Sequence, residues 1–342
     1  MSTDTNCNRA GLSKLDYTGK PTTLCKGCGH DSITAGIIQA YYELGVAPHS
    51  LAKFSGIGCS SKTPTYFVDR AHGFNTVHGR MPSVATGASV ANKKLTIIGV
   101  SGDGDTASIG MGQFCHLVRR NVNMVYIIEN NGTYGLTKGQ FSATADLGST
   151  AKKGPANQFP TIDCCAIAIE LGATFVARSF SGDRKQVIAL VKAAHAHQGI
   201  ALLDIISPCV TFNNQEGSTK SYSFVKEHAI PLHELGFVQS QDEITVDMKE
   251  GEKKEIRLHD GSLLTLRKLD REYDPTDKMK ALTAINDSRQ KQELITGLLY
   301  YSDKGTDLNT LLNTVESPLW ALGEKDLDPG PEALKKINAS LS

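Results

Sequence analysis

The stretch Leu95–Thr133, LTIIGVSGDGDTASIGMGQFCHLVRRNVNMVYIIENNGT, decides the fold. Leu95–Val100 is a short apolar run that reads as a buried strand. Ser108–Arg120 reads as a helix with Met111, Cys115 and Val118 turned inward, and Asn123–Glu129 as the next strand. Strand, helix, strand in that order predicts parallel neighbours joined by a right-handed crossover. Downstream the pattern repeats: Thr174–Ala177 reads as a strand, Asp183–His197 as a helix burying Val187, Leu190 and Val191, and Ile200–Ile206 as a third apolar strand. Upstream, Asp31 or Ser32 can cap a helix carrying Ile33, Ile37, Ile38 and Tyr41 that ends near Gly45. Such alternation predicts an α/β fold, a parallel sheet with helices on both faces.

Two loops leave the strands of the quoted stretch at their carboxyl ends, where open parallel sheets bind ligands. They are Gly102-Asp103-Gly104-Asp105 and, beyond residues 106–129, Asn130-Asn131-Gly132-Thr133. Gly102 and Gly104 allow backbone amides to approach phosphate oxygens, and the helix starting near Ser108 adds its positive end. Asp103 supplies the hard oxygen that magnesium prefers, Asn131 an amide oxygen without further charge, and a backbone carbonyl just beyond it a third ligand. Alone, either motif would read as a turn; paired across one β-α-β unit they read as a magnesium–diphosphate clamp.

The rest of the composition narrows the class. The 36 basic and 36 acidic residues balance, which gives no electrostatic reason to expect nucleic acid or an anionic membrane as a partner. The polar start lacks the apolar core of a signal peptide, and no stretch approaches the ~20 apolar residues of a membrane span, so a cytoplasmic location is expected. Residues 1–20 read as a loose or binding-ordered arm, 21–214 as the cofactor domain, and 215–342 as an extension packing on the core and on a partner. Within the extension, Glu243–Leu269 holds two alternating segments around His259-Asp260-Gly261-Ser262, a good hairpin turn. The region from Tyr273 onward reads as polar with short helical patterns.

In a reducing compartment the eight cysteines are expected to bind metal, react or pack rather than cross-link. Cys25 and Cys28 form a C-x-x-C pair, Cys59 sits in GIGCSSK, and Cys209 follows Pro208 just past the third strand. Four soft ligands suit a structural zinc ion or an iron–sulfur cluster, and spacing leaves the two open. Cys115 reads as a core residue, and Cys164 and Cys165 as packing thiols in an apolar helix.

A GDG, about 25 residues and then NN resembles the signature of thiamine diphosphate enzymes. By that resemblance Asp103, Asn131 and the carbonyl of Thr133 are magnesium ligands, and Gly104, Asp105, Gly135 and Leu136 line the cofactor. The wider series TLCKGCGHDSI, GIGCSS, HGRMPSVATG, GDGD, NNGTYGLTKGQ and SPC resembles the β subunit of 2-oxoacid:ferredoxin oxidoreductases across residues 22–212. That resemblance implies the thiamine diphosphate-binding fold, one [4Fe–4S] cluster on Cys25, Cys28, Cys59 and Cys209, and contacts from Ile57, Gly58, Cys59, Ser60 and His78 to the cofactor. His30 would hydrogen-bond near the cluster or cap its helix.

It further implies coenzyme A-dependent oxidative decarboxylation of a 2-oxoacid, or the reverse carboxylation, with electrons leaving through the cluster to ferredoxin. Lys138 and Lys62 are the candidates for pairing with a substrate carboxylate, with Leu136 beside Lys138, and 2-oxoglutarate is favoured over pyruvate or another 2-oxoacid. The family's glutamate that touches the aminopyrimidine lies on an α subunit, so an α partner, in an (αβ)2 assembly, is expected to complete the site. The competing class is a non-catalytic, zinc-stabilised assembly subunit.

Overall fold

The computed structural model describes residues 7–150, 155–212, 245–257, 263–269, 273–291 and 293–341. Its strands are β1 (Leu51–Ser55), β2 (His72–Asn75), β3 (Thr96–Gly102), β4 (Met124–Asn130), β5 (Thr133–Tyr134), β6 (Gln140–Phe141), β7 (Phe175–Phe180), β8 (Ile200–Ile206), β9 (Lys253–Arg257), β10 (Leu263–Lys268) and β11 (Leu294–Tyr301). Nine of them form one sheet in the order β2-β1-β3-β4-β8-β7-β11-β10-β9, and β5 and β6 form a separate hairpin. The run from β2 to β7 is parallel, as the β-α-β reading predicts.

The main helices are α1 (Gly29–Leu44), α2 (Thr63–Tyr66), α3 (Met81–Ala91), α4 (Met111–Arg119), α5 (Cys164–Glu170), α6 (Arg184–Ala196) and α7 (Lys278–Gln290). They cover both faces of the sheet. Alternate residues of each strand enter different cores, as strand geometry requires. Tyr126 and Ile128 of β4 pack with Phe114, Leu117 and Cys165 on one side. Val125 and Ile127 pack with Ile33, Ile37 and Val187 on the other.

Several boundaries differ from the sequence reading. Helix α1 begins at Gly29, ahead of Asp31, with Cys28 at its N-cap, and ends at Gly45 in the left-handed conformation (φ 61°). A single π-helical turn, Asp105–Ile109, precedes α4. That wide turn shifts the helix face, so Phe114, Leu117 and Val118 are buried while Met111 and Cys115 are only half-buried. Residues 7–20 are not a loose arm among the described residues. Tyr17 is fully buried, donates to the Val46 carbonyl at 2.8 Å and accepts from Asn8 Nδ2 at 2.9 Å; a tyrosine ring buries enough apolar area to anchor a polar segment.

The region after Tyr273 also departs from the polar, helical expectation. Helix α7 is followed by β11, which pairs antiparallel with β7, and β10 pairs parallel with β11. The strands β9 and β10 form the expected antiparallel pair, while the predicted turn at His259–Ser262 lies outside the described residues. Among the described residues no helix is long and apolar enough to cross a membrane.

Candidate functional site

The two glycine-rich loops emerge side by side because β3 and β4 are parallel neighbours in register, with Gly102 opposite Glu129. Asp103 is 1% exposed. Its Oδ1 accepts the Asn131 amide N–H at 3.3 Å, and its Oδ2 accepts the Thr144 hydroxyl at 2.5 Å and the Ser142 hydroxyl. Asn131 Oδ1 in turn accepts the Thr133 N–H at 3.1 Å. Asn130 accepts the same Thr144 hydroxyl at 3.1 Å and donates to Asp204 Oδ1 at 3.0 Å, while Asn131 lines the cleft. Asp105 Oδ1 accepts the Gly79 N–H at 2.9 Å and Oδ2 the Ser101 hydroxyl at 3.0 Å. A carboxylate, an amide oxygen and backbone groups packed this closely offer the hard oxygen donors that magnesium takes. Gly104 has room for no side chain: a Cβ there would sit 2.5 Å from the Tyr134 ring, whose hydroxyl donates to the Gly104 carbonyl at 2.6 Å.

One cleft is lined by Ile57, Gly58, Cys59, Ser60, Gly102, Asp103, Gly104, Asp105, Asn131, Thr133 and Gly135, all singled out from the sequence. His30, Glu129 and Tyr134 complete its wall. The remaining candidates are not brought into it. Lys62 lies half-buried in the turn Ser60–Lys62, close enough for its charge to be felt by the Cys59 thiol. His78 is exposed, one residue before the Gly79 that holds Asp105. Lys138 and Leu136 are exposed on the β5–β6 loop, with Lys138 at φ 79°. Lys138 lines a neighbouring open cleft of about 1010 Å³ together with Phe141, Phe159 and Ser142, the last of which bonds Asp103.

The four cysteines of the pattern lie near one another beside this cleft, and Cys59 lines it. A Cβ at Gly135 would stand 3.4 Å from Cys59 Sγ and 3.7 Å from Cys209 Sγ. Cys25 Sγ accepts the Thr211 hydroxyl at 3.7 Å, and Cys209 Sγ accepts the Phe212 N–H at 3.3 Å. Cys28 occupies the N-cap position of α1. Burial pushes the Cys28 thiol well up, Cys59 up, and Cys209 up to about 11, and negative charge on any of the set raises its neighbours further. Such a set ionises readily only when a metal supplies the opposing charge. Among the described residues the thiols do not close into a compact metal-ion site. Cys115, Cys164 and Cys165 stay apart: Cys164 and Cys165 are buried in the α5 packing, and Cys115 is half-buried on α4.

Sequence reasoning singled out His30 but missed Glu129, Ser142 and Thr144. Glu129, the last residue of the apolar NMVYIIE run, is fully buried and accepts the Thr63 hydroxyl at 3.0 Å on each oxygen. Burial raises its carboxyl well above the usual range. His30 shares a 2.7 Å hydrogen bond with Ser207 and stands 3.7 Å from Glu129; burial lowers its imidazole to about 4. Burial thus works against the charged form of both groups. The lone acidic residue closing an otherwise apolar strand was the available signal. Ser142 and Thr144 carried none, since their role depends on a loop fold.

The domain model for the thiamine pyrophosphate enzyme C-terminal, TPP-binding domain matches residues 56–205. The chain is 43% identical over 199 residues to the 2-oxoacid:ferredoxin oxidoreductase subunit beta of Saccharolobus solfataricus, covering 58% of this chain but only 65% of that relative's length. It is 34% identical over 242 residues to the 2-oxoglutarate synthase subunit KorB of Methanocaldococcus jannaschii, covering 69% of this chain and 88% of that one. Its fold matches a solved structure titled 2-oxoglutarate:ferredoxin oxidoreductase from Magnetococcus marinus with 2-oxoglutarate, coenzyme A and succinyl-CoA bound, with a TM-score of 0.73, 31% identity and 96% of each chain covered.

Proposed function

The chain belongs to the family of 2-oxoacid:ferredoxin oxidoreductase β subunits, and from that premise we propose that it is the diphosphate-binding half of a thiamine-dependent oxidoreductase that takes 2-oxoglutarate to succinyl-CoA, or the reverse, and passes electrons to ferredoxin. Thiamine diphosphate, when bound, supplies the carbon chemistry that breaks the bond to the carboxyl group. This chain's residues would do the rest. Asp103, Asn131 and the Thr133 carbonyl hold magnesium, and the Gly102–Asp105 backbone receives the diphosphate. Ile57, Gly58, Ser60 and Gly135 would line the cofactor, and His78 and Leu136, exposed outside the cleft, are assigned to it by the resemblance. Lys138 and Lys62 meet the carboxylates of a dicarboxylic substrate, and the preference for 2-oxoglutarate rests on Lys138 and on the names of the relatives. Cys25, Cys28, Cys59 and Cys209 hold one [4Fe–4S] cluster. An α subunit brings the catalytic glutamate in an (αβ)2 cytoplasmic assembly, and residues 215–342 pack on the core and on that partner.

A single observation carries this reading. The loop that leaves the clamp at Thr133 passes, two residues later at Gly135, so near the thiols that a Cβ there would touch both Cys59 and Cys209. One stretch of backbone is thus a wall of the cofactor cleft and of the thiol pocket. A first electron acceptor beside the cofactor is what this redox chemistry needs. The test is to co-express the chain with its α partner and measure iron, thiamine and dye reduction with coenzyme A and a panel of 2-oxoacids. A brown protein bleached by dithionite, reducing dye fastest with 2-oxoglutarate, is expected; a colourless zinc protein would overturn the reading.

A further inference from the structure

The cleft contains a polar group that the chemistry above does not use. Glu129 is 0% exposed, on a strand whose other residues before Asn130 are apolar. Burying a carboxyl group is costly unless it is partnered, and the partners found here come from separate segments. Thr63, which donates to both Glu129 oxygens, lies four residues after Cys59. His30, 3.7 Å from Glu129, lies two residues after Cys28. Ser207, bonded to His30 at 2.7 Å, lies two residues before Cys209. Glu129 itself lies two residues before Asn131. The approach of Ser207 to α1 depends on Gly29, where a Cβ would stand 2.7 Å from the Ser207 hydroxyl.

We propose that Glu129 is a positioning residue: by accepting the Thr63 hydroxyl and by packing 3.7 Å from the His30 ring that Ser207 bonds, it holds the segments bearing Cys59, Cys28 and Cys209 against the strand bearing the clamp, and so fixes the cluster relative to the cofactor. The inference rests on the reading that those cysteines hold a cluster beside thiamine diphosphate. A bundle of packing contacts would keep the fold without this group. A buried carboxyl that accepts Thr63 and stands against the His30–Ser207 pair adds a fixed geometry among these three segments beyond their packing.

The test uses the α–β complex carrying Glu129→Ala, Glu129→Gln or Thr63→Val. Glu129→Ala is expected to keep iron and thiamine, to shift the midpoint potential and the electron paramagnetic resonance of the reduced cluster, and to lower kcat about tenfold with KM changed less than about twofold. Glu129→Gln, which still accepts from Thr63, is expected to restore kcat to within about threefold. Loss of iron from Glu129→Ala with full loading of Glu129→Gln also supports the proposal. An unchanged potential and spectrum in Glu129→Ala overturns it, whatever happens to kcat. If Glu129→Ala fails to fold, Thr63→Val, which removes the donor and keeps the shape, gives the same readings under the same criteria. A wild-type complex without iron or thiamine overturns the underlying reading instead.

Discussion

The proposed clamp on the two glycine-rich loops and the thiol pocket share a wall, yet they are built in opposite ways. The clamp is satisfied from within: Asp103 takes three donors from Asn131, Ser142 and Thr144, and Asp105 takes two more. The thiol pocket is not. Three of its four thiols are pushed toward the protonated form by burial, and among the described residues they form no compact ion site. A preorganised site binds its ligand at little reorganisation cost, whereas a pocket of this kind takes its final geometry from the group it receives. Losing one ligand should therefore be graded at the clamp and all-or-none at the thiols.

The largest expected effect is at the thiols. Cys209→Ala should abolish the cluster, seen as loss of iron and of visible absorption, while thiamine is retained; normal iron content would remove Cys209 from the ligand set. Next, Asp103→Ala should weaken thiamine diphosphate binding by more than about a hundredfold, beyond the 10–100-fold typical of a residue that merely orients a ligand, and leave the cluster spectrum intact. Calorimetry on the co-expressed complex checks this, and normal thiamine content would refute the clamp.

The clamp continues through Asn130 and Asp204 into a buried ion-pair group, in which Arg178 donates to Asp204 at 2.9 Å and to Asp163 at 2.8 Å. Arg178→Leu strands two buried carboxylates and should destabilise the fold by about 3–5 kcal/mol, read from urea midpoints. Burial, the largest single influence, would raise the Asp163 carboxyl, but Arg178, the Ala166 N–H and Arg289 together hold the group below the ordinary 3.8. A carboxyl lowered by folding contributes stability above its unfolded value and loses it as pH falls through the folded one. The wild-type chain should thus shed this contribution only below about pH 4, and Arg178→Leu should show no such step. The smallest effect is Ser142→Ala, which deletes one of the donors to Asp103. It should weaken thiamine binding about tenfold with the fold unchanged; loss of the cluster as well would mean the two regions are not separable.

The parallel core was legible because β3, β4 and β8 are buried on both faces and therefore written mainly in apolar residues, with Asp204 the lone charge inside β8. The sheet's further reach was not. LAKFS of β1 buries Lys53, whose ammonium donates to the Phe67 and Val68 carbonyls, so the strand does not read as apolar. LITGLLYY of β11 stands in a polar neighbourhood and pairs with β7, distant in sequence. The clamp and cysteine residues were readable from motif spacing and resemblance. Glu129, Ser142, Thr144 and Ser207 were not, because hydrogen bonds across loops are set by tertiary approach rather than by local pattern.

The most direct measurement is anaerobic and uses two complexes. 2-Oxoglutarate without coenzyme A is added to the wild type and to Asp103→Ala, both loaded with iron, and the visible absorption of the cluster is followed. The wild type should bleach on the timescale of turnover and Asp103→Ala should not, since electrons reach the thiol pocket only from a cofactor held by the clamp. A wild-type complex with full iron and thiamine that fails to bleach, or an Asp103→Ala complex that bleaches equally fast, would contradict the shared wall as the route between them.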